Sequence, residues 1–380
     1  MDLNVLQALF FPPEQPGGVS SMVPYITDRF TRMGWTMELF SLPKRVRGKG
    51  TQEVTFHTFD WRVFQGNPIV EKYIQTIRDY EWWTKLRLHQ TVHVIHAHHP
   101  IAAIVMKRVF PQTPLIMTVH SSYEKELLLN ERIEAGGTEE QFLTSIYGEL
   151  EFVTNRLMTV SESFKSYMSN YVSEPQRIIV LPNGFDVKRF KPMAHDNAVP
   201  QLITMCRLVQ AKGLDILLRA CAILKQRGLP FVLHVIGDGP MRQSLEELAR
   251  ELGVYDEIIF YGYTLHPEEF MPFFDIFVLP SKAESFGNVF AEAALCGLAL
   301  IGTNVGGIAE QIEHGVNGLL TPVDDVEALA NALEQVMVDP SFRYELSRSA
   351  LGKAKKAYSL HKVIRQLKAI YMEAAGVTES

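Results

Sequence analysis

Two doubly wound α/β domains, each a parallel sheet with helices on both faces, are the fold class this sequence predicts. Three observations lead there. At 380 residues the chain is too long for one ordinary core and suits two of roughly 150–200 residues each. Apolar runs of strand length alternate with helix-period segments through both halves, the pattern of parallel sheets. The chemically loaded stretches fall where a strand ends and a helix is about to begin, which in open α/β sheets is where ligands lie.

Residues 4–11 form an apolar run of strand length, followed by a loop rich in Pro and Gly up to Gly17-Gly18. Helical spacing over 19–33 closes at Gly34, a C′ glycine. Strands are expected at 35–42, 91–96, 115–119 and 156–160, with helical segments between them. A polar stretch with prolines, 190–200, reads as the linker and sets the domains at 1–190 and 198–360. The second half repeats the scheme, with strands at 202–206, 231–236, 258–261, 276–280, 299–303 and 318–320. Its helices are expected at 213–226, 241–252 and 288–296, the last stopped by Gly297. Residues 361–375 are amphipathic, and the segment 361–380 is expected to pack back on the first domain as a helix.

Composition narrows the class. With 47% apolar and 21% charged residues the chain is globular and not disordered. No run approaches the ~18 apolar residues of a membrane span. The N-terminus lacks a basic n-region with an apolar core, so no signal peptide is expected. Cys206, Cys221 and Cys296 sit in apolar contexts without metal-ligand spacing, which suits a reduced, cytoplasmic protein. A net charge of −6 argues against a general nucleic-acid binder. The first 190 residues balance 20 basic against 20 acidic side chains. Within them lies one dense basic run, Lys44-Arg45-Val46-Arg47-Gly48-Lys49. It reads either as a solvated loop or as a surface for an anionic acceptor or the inner face of a membrane.

The most informative stretch is 279–293. A strand ends near Pro280, a loop carries Glu284, and a helix starting at Asn288 carries Glu292 about a turn in. Amides at a helix start favour an anion such as a diphosphate, and ionised carboxylates accept hydrogen bonds from sugar diols. Alone, the two glutamates read equally well as a surface cap and a solvated helical side chain. Arg207 and Lys212 also follow a strand and precede a helix, where cations could cradle phosphate oxygens or simply be solvated. Gly17-Gly18 permits a close backbone approach at the first strand–helix turn, although neither it nor Gly237-Asp238-Gly239-Pro240 is a dinucleotide fingerprint. His120 closes the strand 115–119 and is read as facing the ligand more readily than as a structural histidine. His93, His96, His98 and His99 lack the carboxylate or thiolate partners of a metal site and read as strand-end lining.

Together these residues resemble the retaining glycosyltransferases of family 4, which have the GT-B fold of two Rossmann-like domains facing each other across a cleft. The matches run in order along nearly the whole chain: Gly17-Gly18, Thr118-Val119-His120, Val160-Ser161-Glu162-Ser163, Leu181-Pro182-Asn183-Gly184-Phe185-Asp186, and Arg207 with Lys212-Gly213. Gly237-Asp238-Gly239-Pro240, the E-x7-E pair Glu284 and Glu292, and Thr303-Asn304-Val305-Gly306-Gly307 complete the series. Cys206 stands where the family usually has Gly, and Asn155 where it usually has Asp.

The resemblance implies a hexosyl or N-acetylhexosaminyl transfer from a nucleotide sugar, by family frequency a UDP-sugar, with retention at the anomeric carbon. His120, Arg207, Lys212 and Glu284 are the implied catalytic residues. Arg207 and Lys212 would neutralise the diphosphate, Glu292 would bind the ribose, and Glu284 with the Phe286-Gly287 backbone would hold the sugar. Gly17, Gly18, Gly239 and Asn288 join this set. The second domain would bind the nucleotide sugar and the first the acceptor, closing around it with a hinge near the linker and the C-terminal helix. No metal and no cofactor are implied, because the nucleotide sugar is a co-substrate. Acceptor-side candidates are His98, His120, Tyr123, Lys44 and Arg45. The basic run favours a cell-envelope glycan or lipid-linked acceptor, with peripheral membrane contact. Glu124, Glu126 and Glu131 would suit an amino-cyclitol instead. The rivals are a sugar-nucleotide epimerase on the same fold, a nicotinamide dehydrogenase and a catalytically silent binding protein.

Overall fold

The computed structural model describes residues 3–10, 18–43, 46, 48–89, 91–193, 197–264 and 266–377. The chain divides into two compact units, Met1–Asn183 with His361–Ser380, and Gly184–Leu360. Each holds a six-stranded, all-parallel sheet.

In the first unit the strands are β1 (Asn4–Ala8), β2 (Thr36–Phe40), β3 (Val94–Ala97), β4 (Leu115–Val119), β5 (Arg156–Thr159) and β6 (Ile179–Val180), ordered β2-β1-β3-β4-β5-β6. Val5 and Val94 are buried on one face and Leu6, Ile95, Leu115 and Met117 on the other, as a sheet covered on both sides requires. The helices are α1 (Gly18–Thr31), α2 (Pro68–Arg87), α3 (Pro100–Val109), α4 (Tyr123–Leu129), α5 (Thr138–Val153) and α6 (Glu162–Met168). Local chemistry sets their starts. Asn67 accepts from the Ile69 and Val70 amides ahead of Pro68, and the Ser161 hydroxyl accepts from Phe164 N. The Val160-Ser161-Glu162-Ser163 match therefore contains a helix cap. Asn155 accepts from Leu115 N at 2.9 Å, so its amide oxygen ties β4 to the start of β5.

The second unit contains β7 (Gln201–Met205), α7 (Leu214–Gln226), β8 (Val232–Ile236), α8 (Arg242–Glu251), β9 (Ile258–Gly262), α9 (Pro267–Phe270) and β10 (Ile276–Leu279). It continues through α10 (Asn288–Cys296), β11 (Ala299–Thr303), α11 (Gly306–Gln311), β12 (Leu319–Thr321), α12 (Val326–Val338) and α13 (Pro340–Ala357). Its strand order is β12-β11-β10-β7-β8-β9. The last helix, α14 (Leu360–Ala374), returns to the first unit, where Tyr371 is fully buried against Phe30 and Trp35.

Two details differ from the sequence reading. The two-residue strand β6 was not anticipated. Residues 184–190, assigned above to the first domain, belong to the second unit. Phe185 N donates to Tyr358 O, Leu360 N donates to Phe185 O, and the Phe185 ring stacks near Phe286, so this stretch is anchored by hydrogen bonds and packing inside that unit. No helix among the described residues is long and apolar enough to cross a membrane.

Candidate active site

Strand order locates the place where a ligand would bind. In the second sheet the chain runs outward from β7 to β8 and β9 on one side, and then to β10, β11 and β12 on the other. The switch point lies between the paired strands β7 and β10. The loop after β7 carries Arg207 and Lys212, and the loop after β10 carries Glu284, Phe286 and Gly287. The two stretches singled out in sequence are thus the two loops that flank the switch point.

These loops are joined by an ion pair. Lys212 Nζ donates to Glu284 Oε1, with both side chains mostly buried, and Ser281 Oγ donates to the same oxygen at 3.1 Å. The loop holding Glu284 is fixed from behind by the start of α11. Gly307 N donates to Glu284 O at 3.0 Å, and Gly306 adopts φ +47° with its α-carbon so close that a Cβ would lie 1.9 Å from Glu284 O. This accounts for the paired glycines of the 303–307 match: they let two backbones meet. The Gly237–Pro240 stretch plays the same part for the first loop. Leu208 N donates to Asp238 O, Met241 N donates to Leu208 O, and a Cβ on Gly237 would overlap Cys206 O at 1.8 Å. Gly239 packs equally tightly on Leu208. Arg207 projects from that braced loop and is exposed.

Helix α10 begins at Asn288, after Gly287 at its N-cap, and is apolar over most of its length. Phe290, Ala291, Ala293, Ala294, Leu295 and Cys296 are buried. Glu292 is the carboxylate among them, and burial raises its pKa from 4.5 to about 7, with Arg189 lowering it and Glu268 raising it. Arg189 and Glu268 themselves form a two-pronged ion pair, Nε–Oε1 2.6 Å and Nη2–Oε2 2.7 Å. Glu292 therefore has its own charged neighbourhood, separate from the Lys212–Glu284 pair. The Phe286 ring is buried and meets Tyr358 edge-on at 5.3 Å, so its side chain belongs to the core. Burial is the chief cause that pushes the Cys206 thiol up to about 12.

In the first unit the switch point lies between β1 and β3. His98 follows β3 and His120 follows β4, and His98 Nδ1 meets His120 Nε2 at 3.0 Å. Gly18 opens α1 after β1. Gly17, Lys44 and Arg45 lie outside the described residues. What is described of the basic run is its far end: the buried Asp79 carboxylate of α2 accepts from Gly48 N, Lys49 N and Gly50 N at 2.8, 2.8 and 2.9 Å. Sequence reasoning gave Asp79 no part, since a lone helical aspartate has no local signature. His93 accepts from Asn4 N through Nδ1, and His99 caps α3.

Of the three carboxylates behind the amino-cyclitol reading, Glu126 is half-buried and Glu131 exposed, while Glu124 is taken up by the protein itself. Glu124 is 1% exposed, and its two oxygens accept from the Tyr147 and Tyr167 hydroxyls. A carboxylate so sequestered is a structural anchor for α4 on α5 and α6. Tyr123 beside it is exposed, and its backbone N donates to Tyr147 OH at 3.2 Å.

With this geometry in hand, comparison with known proteins is specific. The family profile for glycosyltransferase family 4 matches residues 16–189, and that for glycosyl transferases group 1 matches residues 188–356. A D-inositol 3-phosphate glycosyltransferase from Saccharomonospora viridis is 30% identical over 307 residues, covering 74% of this chain and 70% of that protein. An N-acetyl-α-D-glucosaminyl L-malate synthase from Bacillus anthracis is 25% identical over 293 residues, covering 75% of each. Among solved structures, Anabaena HepE in complex with UDP superposes with a TM-score of 0.72 at 18% identity, over 98% of this chain and 100% of that one. The fold is GT-B, and the chain belongs to the group 1, family 4 glycosyltransferases, enzymes that take the sugar they transfer from a nucleotide sugar.

Proposed function

We propose that this protein transfers a hexosyl or N-acetylhexosaminyl group from a UDP-sugar, with retention of anomeric configuration, to a hydroxyl of an anionic acceptor. The observation that carries the reading is the Lys212–Glu284 pair on the two loops at the β7/β10 switch point, on the same loop that leads into α10. A diphosphate leaving the anomeric carbon develops negative charge. Lys212, Arg207 and the first amides of α10, with Asn288 and Gly287, are groups able to stabilise it. Glu284, released from Lys212 when phosphate takes the ammonium, would accept from hydroxyls of the sugar with the Phe286-Gly287 backbone. Glu292 in its ionised form would accept from the ribose diol. Gly17, Gly18 and Gly239 would line the phosphates, and His120 would contact the sugar. The acceptor hydroxyl would attack the anomeric carbon on the face from which the diphosphate departs, forming the new C–O bond as the C–O bond to phosphate breaks, with the departing phosphate taking its proton. Same-face attack gives retention without a metal or a cofactor.

UDP is supported by the Anabaena HepE complex and by the family resemblance. An anionic acceptor is supported by the two relatives, whose names specify inositol 3-phosphate and malate. The basic run, with Lys44 and Arg45, supports it too. A small soluble acid and a lipid-linked phosphate share this chemistry. The deciding experiment measures UDP release from a panel of UDP-sugars, with soluble inositol phosphate or malate in one arm and anionic vesicles in another. Stimulation in one arm identifies the acceptor class, and retention follows from the anomeric coupling of the product. Donor-only conversion to an epimer, without any acceptor, would overturn the transfer reading.

A further inference from the structure

A hydrogen-bonded chain of polar side chains runs along one face of the first sheet, and its direction can be read. Gln7 pairs in register with His96 across β1 and β3, and His96 with Ile116 across β3 and β4. Side chains two residues apart share a face, so Gln7, His96, His98, Thr118 and His120 all project to the same side. Tyr371 of α14 joins them there.

Start at the tyrosine. Its hydroxyl accepts from Gln7 Nε2 at 2.8 Å, so its own proton goes to His96 Nδ1 at 2.7 Å. His96 then carries its proton on Nε2 and donates to Thr118 Oγ1 at 2.8 Å. At the other end of the amide, Gln7 Oε1 faces His98 Nε2 at 2.7 Å. A carbonyl oxygen has no proton to give, so His98 Nε2 donates. A neutral His98 offers only a lone pair at Nδ1, which must accept from His120 Nε2 at 3.0 Å. A neutral His120 is left with a lone pair at Nδ1, and that buried atom has no hydrogen-bond partner among the described residues. Burial keeps the rings neutral: it lowers the pKa of His96 to about 3, with His120 adding to the effect, that of His120 to about 4, and that of His98 well below its usual value.

We propose that Gln7 and Tyr371 are positioning residues that hold His120 in the Nε2–H tautomer, so that Nδ1 is presented to the transferred sugar as a hydrogen-bond acceptor. The chain has two self-consistent directions, and one amide selects between them. Turning the Gln7 amide over inverts every donor and acceptor and leaves an unpaired N–H at His120 Nδ1. A buried orphan N–H is rarer and more costly than an orphan acceptor, which favours the direction described. Removing the Tyr371 hydroxyl cancels that preference, because the described direction then leaves an orphan N–H at Gln7 Nε2 just as the inverted one leaves an orphan N–H at His120 Nδ1. The tyrosine on the last helix thus sets the proton position on a histidine 251 residues earlier in the chain. This inference rests on the reading of His120 as a sugar contact.

The test is long-range 1H–15N correlation spectroscopy on protein labelled with 15N-histidine, with the His120 signals assigned by their loss in His120→Ala. In the wild-type protein, His120 is expected to show a protonated Nε2 and an unprotonated Nδ1. In Tyr371→Phe the signals should shift toward the Nδ1–H form. A wild-type His120 protonated at Nδ1 would overturn the proposal, and that measurement needs no variant to fold. An unchanged tautomer in a folded Tyr371→Phe would overturn the relay, even if turnover fell. Because the tautomer is read without substrate, failure of every UDP-sugar in the turnover assay would strike the functional reading alone.

Discussion

The Lys212 ammonium and the Glu284 carboxylate, 72 residues apart, neutralise each other on adjoining loops at the strand-order switch of the second sheet. Each was singled out in sequence for a different part of the ligand, so their pairing makes a joint claim. In the free protein the ammonium that would meet phosphate is stored against the carboxylate that would meet sugar. Lys212→Ala leaves Glu284 partly buried and uncompensated. It should cost about 1–3 kcal/mol of stability as well as at least about a hundredfold in kcat. Lys212→Met with Glu284→Gln removes both charges and should recover most of the stability and none of the activity. Denaturant titration alongside UDP release reads both quantities. Wild-type turnover in Lys212→Ala would sink the assignment.

Glu292 predicts a pH dependence of definite sign. Its folded pKa, about 7, lies above the ordinary 4.5, so the native state binds more protons than the unfolded chain between those values. Stability contributed by this group therefore falls as pH rises from 4.5 toward 7, and the full penalty, on the order of 3 kcal/mol, is present above 7. Glu292→Gln should be more stable than wild type at pH 8 and closer to it at pH 5. If the ionised carboxylate holds the ribose, UDP affinity should rise from pH 6 to pH 8 in the wild type and stay flat in the variant. Calorimetric titration with UDP at several pH values separates this from a structural role.

Gly306 tests the support behind Glu284. At φ +47°, with Glu284 O 1.9 Å from the position of a Cβ, alanine cannot be accommodated unless the loop moves. Gly306→Ala should lower Tm by several degrees and reduce kcat at least tenfold, an effect of about 1.4 kcal/mol or more on the barrier. Gly315, also at positive φ but with open space around it, is the control and should lose stability with little loss of turnover.

Much of this was legible in sequence because it is local. The alternation of apolar strands and helices marked both sheets, and the ordered matches at strand ends marked the loops with Arg207, Lys212 and Glu284 and the helix with Glu292. What escaped depends on contacts between distant residues. Strand β6, Ile179–Val180, is too short to show a period, and only pairing with β5 defines it. The sequestration of Glu124 needed Tyr147 and Tyr167 from two other helices. The proton position on His120 depends on Gln7 and Tyr371, near opposite ends of the chain, and no spacing rule connects them. Phe286 reads in sequence as a backbone contact, and its ring lies in the core against Tyr358.

Asp79 offers a way to test the basic run without removing any of its charges. Its carboxylate collects three successive backbone amides, Gly48 to Gly50, and Gln75 Nε2 donates to it at 3.0 Å. A carboxylate is acceptor-only, so it suits a row of N–H groups in a way an amide cannot. Asp79→Asn presents one oxygen and an amino group to that row. At least one of these N–H groups then faces a donor, at a cost of about 1 kcal/mol or more. If Lys44 and Arg45 serve an anionic acceptor, loosening the backbone of Gly48 to Gly50 that follows them in sequence should raise the KM for that acceptor severalfold. UDP-sugar hydrolysis without acceptor should stay within about twofold of wild type. Equal losses in both assays would assign the carboxylate a purely structural role, and the basic run would then have no claim on the acceptor.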